Sequence, residues 1–514
     1  MHSSPTLSEF QHEIGARMGR RDLAGAAAAA ADCRAAWPSD AAGWLLGSIV
    51  ALLTDDKEGA LALIDQWLTV DPLNVQCLLQ RAECLLALGD REGSLAAAAA
   101  AANHARETMS LDAVGEFLFH AGEYRSALGT YDRAVAAAPS NPALRAKRAD
   151  VHRVLGNLDV AGSDYEAVLA MAPGSPRALK ALVELRRQSA ESNSVAALRA
   201  ALAVAPADSV DAAILHFGLA KCHEDLGEYA LSWQDLSAGN RIERARVEYD
   251  PQRDRDFIEY LLAEFPIVES ARPDTTGQRP IFIVGIPRTG TTLVERIIGS
   301  HSLVHSAGEI TALPEAIDTA VARAGTGLGS LDGSVIASEY LARSRGLRGD
   351  RPRFTDKLLT NFFHCALILR AFPNAHIVHV TRHPLAACYA IYRTRFVGTY
   401  PFAYDLREIG EFYVGYRRLL AHWREILPGR ILDVAYEDVV TALEPTTRRL
   451  LLHLGLPFEA GCLDFQRNPA PVKTTSSVQV RRPLYESSLQ TWQHHAAELA
   501  PLRERLETAG IRVD

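Results

Sequence analysis

A spacing of about 34 residues between turns is the feature of this sequence that most limits its fold. Prolines that start a turn stand at Pro38, Pro72, Pro139, Pro173 and Pro206, with gaps of 34, 67, 34 and 33 residues, so that the gap of 67 skips one turn. Between them, a second set of turns carries glycine, in LALGDREGSL, FHAGEYRSAL, RVLGNLDVAG and EDLGEYALSW. A helix, a glycine turn, a second helix and a proline turn in each period predict stacked helix pairs that bury apolar surface between neighbours.

The residues at these positions resemble tetratricopeptide repeats. Small side chains stand near the expected helix crossings, as at Ala127 and Ala161, and an aromatic residue follows the glycine turn at Tyr124 and Tyr229. The resemblance implies about six units, and we place an all-α solenoid at residues 7–245. Its concave face implies a peptide or protein partner, although packing on the second domain or formation of a homo-oligomer stays open.

The periodicity changes after a polar linker. Residues 246–278 contain a helical stretch and most of ARPDTTGQRP, a cluster of turn-forming residues. Three apolar runs rich in valine and isoleucine then predict buried strands at 281–286, 376–381 and 430–436. They alternate with helical patterns at about 291–300, 361–372, 384–395, 406–426 and 442–455. We therefore predict an α/β, P-loop-like domain with a parallel sheet at residues 279–514.

The charge is divided unevenly between the two predicted domains. Residues 279–514 hold 28 lysines and arginines against 23 aspartates and glutamates, whereas residues 1–278 hold 26 against 39. A basic domain beside an acidic one suggests that anions are handled in the second domain. Neither a long basic run nor an RNA-binding motif is present, so we expect no nucleic-acid partner.

Several other classes of protein are disfavoured. The seven cysteines are odd in number and form no C-x-x-C pair, which indicates reduced buried thiols. His376 and His379 lie three apart in a predicted strand and point to opposite faces, so they cannot share a metal, and we expect none. No apolar run reaches the roughly 18–20 residues of a membrane span. The N-terminal residues lack the apolar core of a secretory signal, so we expect a cytoplasmic protein.

Residues 281–300, IFIVGIPRTGTTLVERIIGS, form the most informative local motif. An apolar strand stops at Gly285, a turn follows, and a helix begins after Gly290. Backbone amides at the start of such a helix bind anions, and Arg288 adds a permanent charge with forked donors. A nucleotide loop G-x-x-x-x-G-K-[ST] carries lysine where this chain has Thr291. A P-loop kinase or triphosphatase is therefore disfavoured.

PRTGTT after a strand resembles the 5′-phosphosulfate loop of sulfotransferases that use 3′-phosphoadenylyl sulfate (PAPS), and its arginine is similar to that of tyrosylprotein and Golgi-type enzymes. HIVHVTRHPLAACYAIY resembles the 3′-phosphate motif of the same family. AGEI, TDKLLTNF, VAYEDVV and TTSSVQVRRPLYESSLQTW are further resemblances, and together the matches run in the family's order over residues 279–495 or so. The whole chain resembles a bacterial tetratricopeptide–sulfotransferase fusion, which implies sulfuryl transfer from PAPS to an acceptor hydroxyl without a metal.

The resemblance assigns three catalytic residues. Arg288 belongs to the donor loop, Lys357 would stabilise charge on the bridging oxygen, and Glu309 would be the general base. Lys357 is one of only two lysines in residues 279–514. His301 and His305 are reserve bases, because other sulfotransferases use histidine. The structural alternatives are solvated residues at helix starts for both Lys357 and Glu309.

The resemblance also assigns the residues that bind PAPS. The 5′-phosphosulfate would be held by Arg288, Thr289, Gly290, Thr291 and Thr292. Arg382 would grip the 3′-phosphate, and Tyr436 would lie near the adenine or the 3′-phosphate, or else pack in the core. The loop that closes over PAPS would contribute Ser476, Ser477 and Arg482, with a solvated turn as the alternative.

One position departs from the family pattern. Where the family places a serine on the helix after Arg382, this chain has Ala390. The change removes one hydrogen bond to the 3′-phosphate, worth roughly 0.5–1.5 kcal/mol. Cys388, Arg393, Arg395 or a water molecule are the candidates to replace it.

The acceptor is the least determined part of the sequence. The leading hypothesis is a tyrosine of a peptide or protein that the repeats present. Arginines at 343, 345, 348, 351 and 353 suit an acidic acceptor or form a solvated helix face. A saccharide, a lipid or a small phenol is the second hypothesis. A third is a non-catalytic repeat scaffold whose second domain only binds nucleotide.

Overall fold

The computed structural model describes residues 5–266, 277–474, 477–484 and 487–513. It divides into two compact units, Met1–Val151 and His152–Asp514. The part of the predicted linker at 267–276 lies outside the described residues. The domain boundaries at 245 and 278 stay predictions.

The first unit consists of antiparallel helix pairs. Its helices are α1 (Leu7–Gly19), α2 (Leu23–Ala36), α3 (Ala42–Leu53), α4 (Lys57–Leu68), α5 (Val75–Ala87), α6 (Arg91–His104), α7 (Thr108–His120) and α8 (Tyr124–Ala137). Helix α9 (Pro142–Leu155) continues the chain into the second unit. The predicted period is therefore confirmed as a succession of helices joined by short turns.

Repeating caps explain where these helices start. Asp22, Asp56 and Asp90 precede α2, α4 and α6, and the carboxylate of each accepts a hydrogen bond from the amide three residues later. Such a cap satisfies one of the amides that the first turn leaves without a partner. The alanine-rich helix α6 is buried at Ala97, Ala98 and Ala101, so small side chains bring neighbouring helices close together.

The second unit begins with six further helices. They are α10 (Leu158–Met171), α11 (Pro176–Leu185), α12 (Val195–Val204), α13 (Val210–Asp225), α14 (Tyr229–Arg246) and α15 (Pro251–Glu264). The glycine turns at Gly156 and Gly227 have φ of 91° and 77°, a left-handed conformation that glycine adopts without strain. The repeat period thus extends into this unit.

The sheet has five parallel strands in the order β2-β3-β1-β4-β5. They are β1 (Ile281–Val284), β2 (Val304–Ser306), β3 (Arg353–Asp356), β4 (His376–Thr381) and β5 (Ile431–Ala435). Three of them match the predicted strands. Strands β2 and β3 were not predicted, because VHS and RFTD are short and contain polar residues. The predicted parallel α/β fold is confirmed.

The helices around the sheet are α16 (Thr291–Gly299), α17 (Ala312–Ala324), α18 (Gly333–Arg343), α19 (Cys365–Ala371), α20 (Pro384–Tyr392), α21 (Leu406–Ile426), α22 (Tyr436–Thr441), α23 (Leu443–His453), α24 (Ser487–Gln490) and α25 (Ala500–Thr508). The helix predicted at 361–372 is a 3₁₀ turn, Leu359–His364, followed by α19. The other four predicted helices lie within a few residues of their predicted limits.

Both faces of the sheet are covered. Phe282 and Val284 of β1 point into one apolar cluster, and Ile281 and Ile283 point into another. The first cluster also contains Phe217, Ala220 and Leu236 of α13 and α14, so these two helices share a core with the sheet. Strands buried on both faces are typical of doubly wound α/β domains.

Hydrogen bonds and an ion pair reinforce the packing of α14. The side-chain amide of Asn240 donates to the carbonyl of Tyr392 at 2.9 Å, and Arg244 contacts Glu408 at 2.7 Å. All seven cysteines are buried and unpaired, as predicted. Within the described ranges, no helix is both long and apolar enough to cross a bilayer.

Candidate active site

The loop after β1 lies at the point where the sheet order reverses, because β3 and β4 flank β1 on opposite sides. In parallel sheets ligands bind outside the carboxyl ends of the strands at this point. Arg288 has a φ of 70° and Gly290 a φ of 97°, so the loop curls before α16 begins. The hydroxyl of Thr289 donates to the carbonyl of Ile286 at 2.9 Å and fixes the turn. The start of α16 can therefore present its amides to an anion.

Arg382 and Tyr436, which lie far apart in sequence, meet this loop. A guanidinium nitrogen of Arg382 donates to the carbonyl of Arg288 at 3.0 Å. The guanidinium carbon of Arg382 lies 4.8 Å from the centre of the Tyr436 ring, within the range of a cation–π contact. Gly290 lies against the same ring, which a Cβ atom at that position would approach to 2.5 Å. The structure thus brings together four of the predicted donor-binding residues.

Replacing Gly290 by alanine should destabilise the protein, because the positive φ costs about 1–2 kcal/mol and overpacking against Tyr436 costs about 1–3 kcal/mol more. Urea unfolding of the full chain measures the loss. Gly325 is the matched control, since its φ is 62° and a Cβ atom there would meet nothing within 4 Å. Equal losses for Gly290→Ala and Gly325→Ala would show that the ring does not constrain the loop.

Lys357 and Glu309 form an ion pair at the end of β3. The ammonium nitrogen Nζ of Lys357 donates to Oε1 of Glu309 at 2.6 Å. The lysine side chain is only 2% exposed, whereas the Glu309 side chain is 42% exposed. Lys357 directly follows β3, and Glu309 lies in the loop before α17 instead of at a helix start. A buried cation and an accessible carboxylate therefore stand side by side.

A clamp on Gly308 positions Glu309. The amide of Gly308 donates to Oε1 of Glu295 at 3.1 Å, and its carbonyl accepts from the amide of Lys357 at 2.9 Å. Thr355 donates its hydroxyl to the same oxygen of Glu295 at 3.0 Å. Burial raises the pKa of Glu295, and the charge of Lys357 opposes that rise. Glu295 thus connects α16, which begins in the donor loop, to the loop that carries Glu309.

A cavity of about 420 Å³ opens over the start of α16. This volume is within the range of small-molecule sites. Its lining includes five of the predicted donor-loop and base residues: Arg288, Gly290, Thr291, Thr292 and Glu309. Arg382 and Tyr436 also line it, together with the unpredicted residues Leu359, Phe396, Val397, Thr399, Tyr400, Phe465, Lys473, Thr474, Gln479, Val480, Pro483 and Leu484.

The segment 477–484, here called the late segment, forms part of the wall. Gln479 accepts a hydrogen bond from Arg288 at 3.0 Å. Ser477 and Arg482 do not line the cavity: the Ser477 hydroxyl accepts from Arg153 at 3.1 Å, and Arg482 donates to the carbonyl of Leu185 at 2.9 Å. Ser477 and Arg482 therefore contact α9 and α11, two of the helices that follow the 34-residue period. Ser476 lies outside the described residues.

Lys473 lines the cavity, although it was not among the predicted site residues. It is the second of the two lysines in residues 279–514, and this rarity was the signal that could have found it. Burial lowers the pKa of Lys473, while the charge of Glu309 opposes the shift. Nearby, the hydroxyls of Thr292 and Thr474 lie 3.4 Å apart. Lys473 is thus a cation of the cavity that the resemblance does not assign.

Two further arginines, Arg393 and Arg395, line the cavity beyond α20. Arg393 contacts Glu224 at 2.5 Å, and Arg395 contacts Glu243 at 2.6 Å. The Cys388 side chain is fully buried and is not in the lining, and burial raises the pKa of its thiol. Of the named side chains proposed to compensate for the missing serine, only the arginines reach the cavity.

His301 and His305, the reserve bases, do not line the cavity. His301 is buried, and its Nε2 lies 3.0 Å from the carbonyl of Pro457 while its Nδ1 accepts from the amide of Leu303 at 3.1 Å. Burial lowers the pKa of His305, and the charge of Arg351 lowers it further. His301 thus has a structural role.

The five arginines expected near an acidic acceptor also lie outside the cavity lining. Arg351 donates to the carbonyls of His301 and Val304, and Arg353 donates to the carbonyl of Leu454. Arg343 contacts Glu315 and Glu339. Arg348 packs on the ring of Phe354, and Arg345 is exposed to solvent. The structure thus places these arginines outside the cavity, and an acidic acceptor stays a prediction.

His376 and His379 lie in β4 and point to opposite faces of the sheet, as predicted. His379 Nδ1 lies 2.6 Å from Asp433, and its other ring nitrogen contacts Tyr416 of α21. His376 instead packs against His453 of α23, with ring centres 5.4 Å apart. Across the residues with described positions, no group of three His, Cys, Asp or Glu side chains is placed to hold a metal ion.

Comparison with known proteins agrees with this fold. Residues 280–460 match the model of the sulfotransferase family, and residues 118–176 match the model of the tetratricopeptide repeat. The chain therefore contains a region similar to the tetratricopeptide repeat and a domain similar to the sulfotransferase family.

One curated relative is an uncharacterized protein of Aquifex aeolicus (strain VF5), which is 31% identical over 373 residues. The match covers 69% of this chain and 48% of the relative, so the chain spans about half the length of the curated relative it matches.

Two solved structures show low whole-chain similarity. The sulfotransferase domain of the Synechococcus PCC 7002 olefin synthase is 20% identical with a TM-score of 0.34, over 48% of this chain and 100% of that domain. A tetratricopeptide repeat protein from Parabacteroides merdae is 15% identical with a TM-score of 0.30, over 46% of this chain and 93% of that protein.

Proposed function

We propose that this protein transfers a sulfuryl group from PAPS to an acceptor hydroxyl. The observation that carries the proposal is the shared cavity: Glu309, paired with Lys357 at 2.6 Å, opens on the same space as the start of α16 and two arginines of the donor motifs. Anion-binding groups and a carboxylate base are the two parts that sulfuryl transfer needs.

The donor end of the cavity is built for a molecule with several negative charges. The amides at the start of α16 and the guanidinium of Arg288 would hold the phosphosulfate, because forked donors and helix amides suit tetrahedral anions. Arg382 would take the other phosphate. Lys473 adds a charge that the family resemblance did not assign. Preorganised donors of this kind stabilise the charge that develops in a transition state without reorganisation.

In the transfer step, the acceptor oxygen attacks the sulfur atom of PAPS. A new S–O bond forms while the S–O bond to the 5′-phosphate breaks, and adenosine 3′,5′-bisphosphate (PAP) leaves with the bonding electrons. Glu309 takes the proton from the acceptor hydroxyl. Lys357 stabilises the negative charge that develops on the bridging oxygen of the leaving phosphate.

We propose a tyrosine of a peptide or protein as the acceptor, with the repeats as the surface that presents it. Phe396 and Tyr400 line the cavity together with Glu309, and their ring centres are 5.0 Å apart. Tyr400 has a φ of 54°, which is unusual for a residue other than glycine, and strained residues of this kind cluster at active sites. An aromatic wall beside a carboxylate suits a phenol.

Incubation with ³⁵S-labelled PAPS and separate panels of tyrosine peptides, glycans and small phenols tests the proposal. We expect label on a tyrosine peptide and release of one PAP for each sulfate transferred. Label only on glycans or phenols would replace the acceptor class but keep the reaction. Uptake of ATP with Mg²⁺ in preference to PAPS, or binding of PAP without any transfer, would favour a kinase or a scaffold instead.

A further inference from the structure

Helices α13 and α14, which continue the repeat period, supply two carboxylates to arginines of the cavity. Glu224 of α13 contacts Nη1 of Arg393 at 2.5 Å and accepts a hydrogen bond from the Tyr389 hydroxyl at 2.7 Å. Glu243 of α14 contacts Nε of Arg395 at 2.6 Å. The side chains of Glu224 and Glu243 are 14% and 8% exposed, so these are mostly buried ion pairs.

Arg393 lies at the junction of two spaces. It lines the main cavity, and it also lines a small recess whose other walls are Arg382, Ala386, Tyr389, Ala390, Thr491 and Trp492. The side chain of Ala390 ends at its methyl group, so this wall of the recess carries no hydroxyl where the family resemblance expects one. Arg382 and Arg393 therefore face one space from two elements, the end of β4 and the end of α20.

The ionisation of the Glu224 carboxylate suits it to hold the guanidinium of Arg393. Burial alone would raise its pKa, but the charge of Arg393 and the hydrogen bonds from Tyr389 and Arg393 outweigh burial and lower the pKa. The carboxylate is thus ionised at neutral pH and fixes one edge of the guanidinium. An arginine that is already ordered loses less conformational entropy when an anion binds.

We propose that Glu224 is a positioning residue of the donor site, which holds Arg393 against the recess so that Arg393 and Arg382 together bind the 3′-phosphate of PAPS and of PAP. The inference rests on the proposed function. It assigns part of the donor site to the repeat-period helices, outside the residues that match the sulfotransferase family model. The binding contact belongs to Arg393, and Glu224 acts through it.

Two nucleotides that differ only in the 3′-phosphate test the assignment. Calorimetric titration of the full chain with PAP and with adenosine 5′-phosphate gives the affinity ratio that the 3′-phosphate contributes. We expect the wild type to prefer PAP. Glu224→Gln and Arg393→Gln should each reduce that preference about tenfold, as for a lost charge-assisted hydrogen bond, and should leave the affinity for adenosine 5′-phosphate within about twofold.

Glu259 provides a matched control, since it pairs with Arg418 across α15 and α21 and both side chains are more than half exposed. Glu259→Gln should leave both affinities unchanged. A general loss of stability would weaken the binding of both nucleotides equally. A positioning role instead changes the ratio of the affinity for PAP to the affinity for adenosine 5′-phosphate. Glu224→Asp keeps the charge and should restore part of the preference.

The outcomes separate the inference from the function on which it rests. A wild type that binds neither nucleotide contradicts both. A wild type that prefers PAP, with the same preference in Glu224→Gln, overturns the inference and leaves the sulfotransferase proposal standing. If Glu224→Gln does not fold, Arg393→Gln decides: an unchanged preference in that variant also overturns the inference.

Discussion

Replacing Lys357 by methionine should lower kcat for sulfuryl transfer by roughly 10²–10³ while the affinity for PAP changes little. Lys357 is buried, and its ammonium group donates a hydrogen bond to Glu309, which lines the cavity. A preorganised cation acts on the charge that develops on the leaving oxygen, and this charge is larger in the transition state than in bound PAPS. The loss should therefore appear in kcat rather than in donor binding.

Methionine is the appropriate replacement, because it fills most of the volume of the lysine stem without a charge. The partner left behind, Glu309, is 42% exposed and remains solvated, so we expect the fold to persist. Single-turnover rates with saturating PAPS, together with PAP titration, measure the two effects. Lys147→Met is the control, since Lys147 belongs to the first unit and pairs with Asp112 and Glu116. A tenfold weaker affinity for PAP with unchanged kcat would assign Lys357 to ground-state binding instead.

The loop of the proposed anion site could be predicted from sequence because its fold depends on a local pattern. A buried strand, a turn with Gly290, and a helix that starts at Thr291 follow one another in the chain, and each follows from residue types alone. The same reasoning located β4 with Arg382 at its end. The helix pairs could be predicted for a similar reason, because their 34-residue period repeats the same turn chemistry.

Contacts between distant segments could not be predicted in this way. Glu295 lies within α16 and reads as a surface glutamate on a helix, yet it is buried and holds the amide of Gly308. The resemblance predicts a PAPS contact for Arg482 of the late segment, yet Arg482 donates to the carbonyl of Leu185, and its neighbour Arg481 donates to the carbonyl of Val154. No local pattern specifies which carbonyl or carboxylate a long side chain will reach.

The contacts between the last repeat helices and the α/β domain could not be predicted from sequence either. The period of the repeats indicates a solenoid with a partner surface, but it does not indicate that the last helices join the core of the α/β domain. Leu236 of α14 shares a cluster with strands of the sheet, and Val154 at the end of α9 accepts the amide of Val472 beside the cavity. Helices that stabilise a solenoid thus also support the walls of the proposed donor site.

Replacing Glu309 by glutamine should lower kcat for a tyrosine acceptor by roughly 10²–10⁴, the usual contribution of a well-placed general base. Glutamine keeps the length of the side chain, and its amide oxygen can still accept from Lys357. What the substitution removes is the ability to take the proton from the acceptor hydroxyl. Tyrosine, with a pKa near 10, loses its proton with difficulty at neutral pH and depends strongly on the base.

A series of phenol acceptors distinguishes this role from a positioning role. A nitrophenol is more acidic than tyrosine and is partly ionised before it binds, so Glu309→Gln should slow its sulfation far less. Equal losses for both acceptors would contradict the assignment of Glu309 as the base. The double variant Glu309→Gln/Lys357→Met adds a second criterion: because the two groups are in contact, we expect the combined loss to be smaller than the product of the two single losses. A fully multiplicative loss would mean that the lysine and the glutamate act independently, despite the 2.6 Å contact between them.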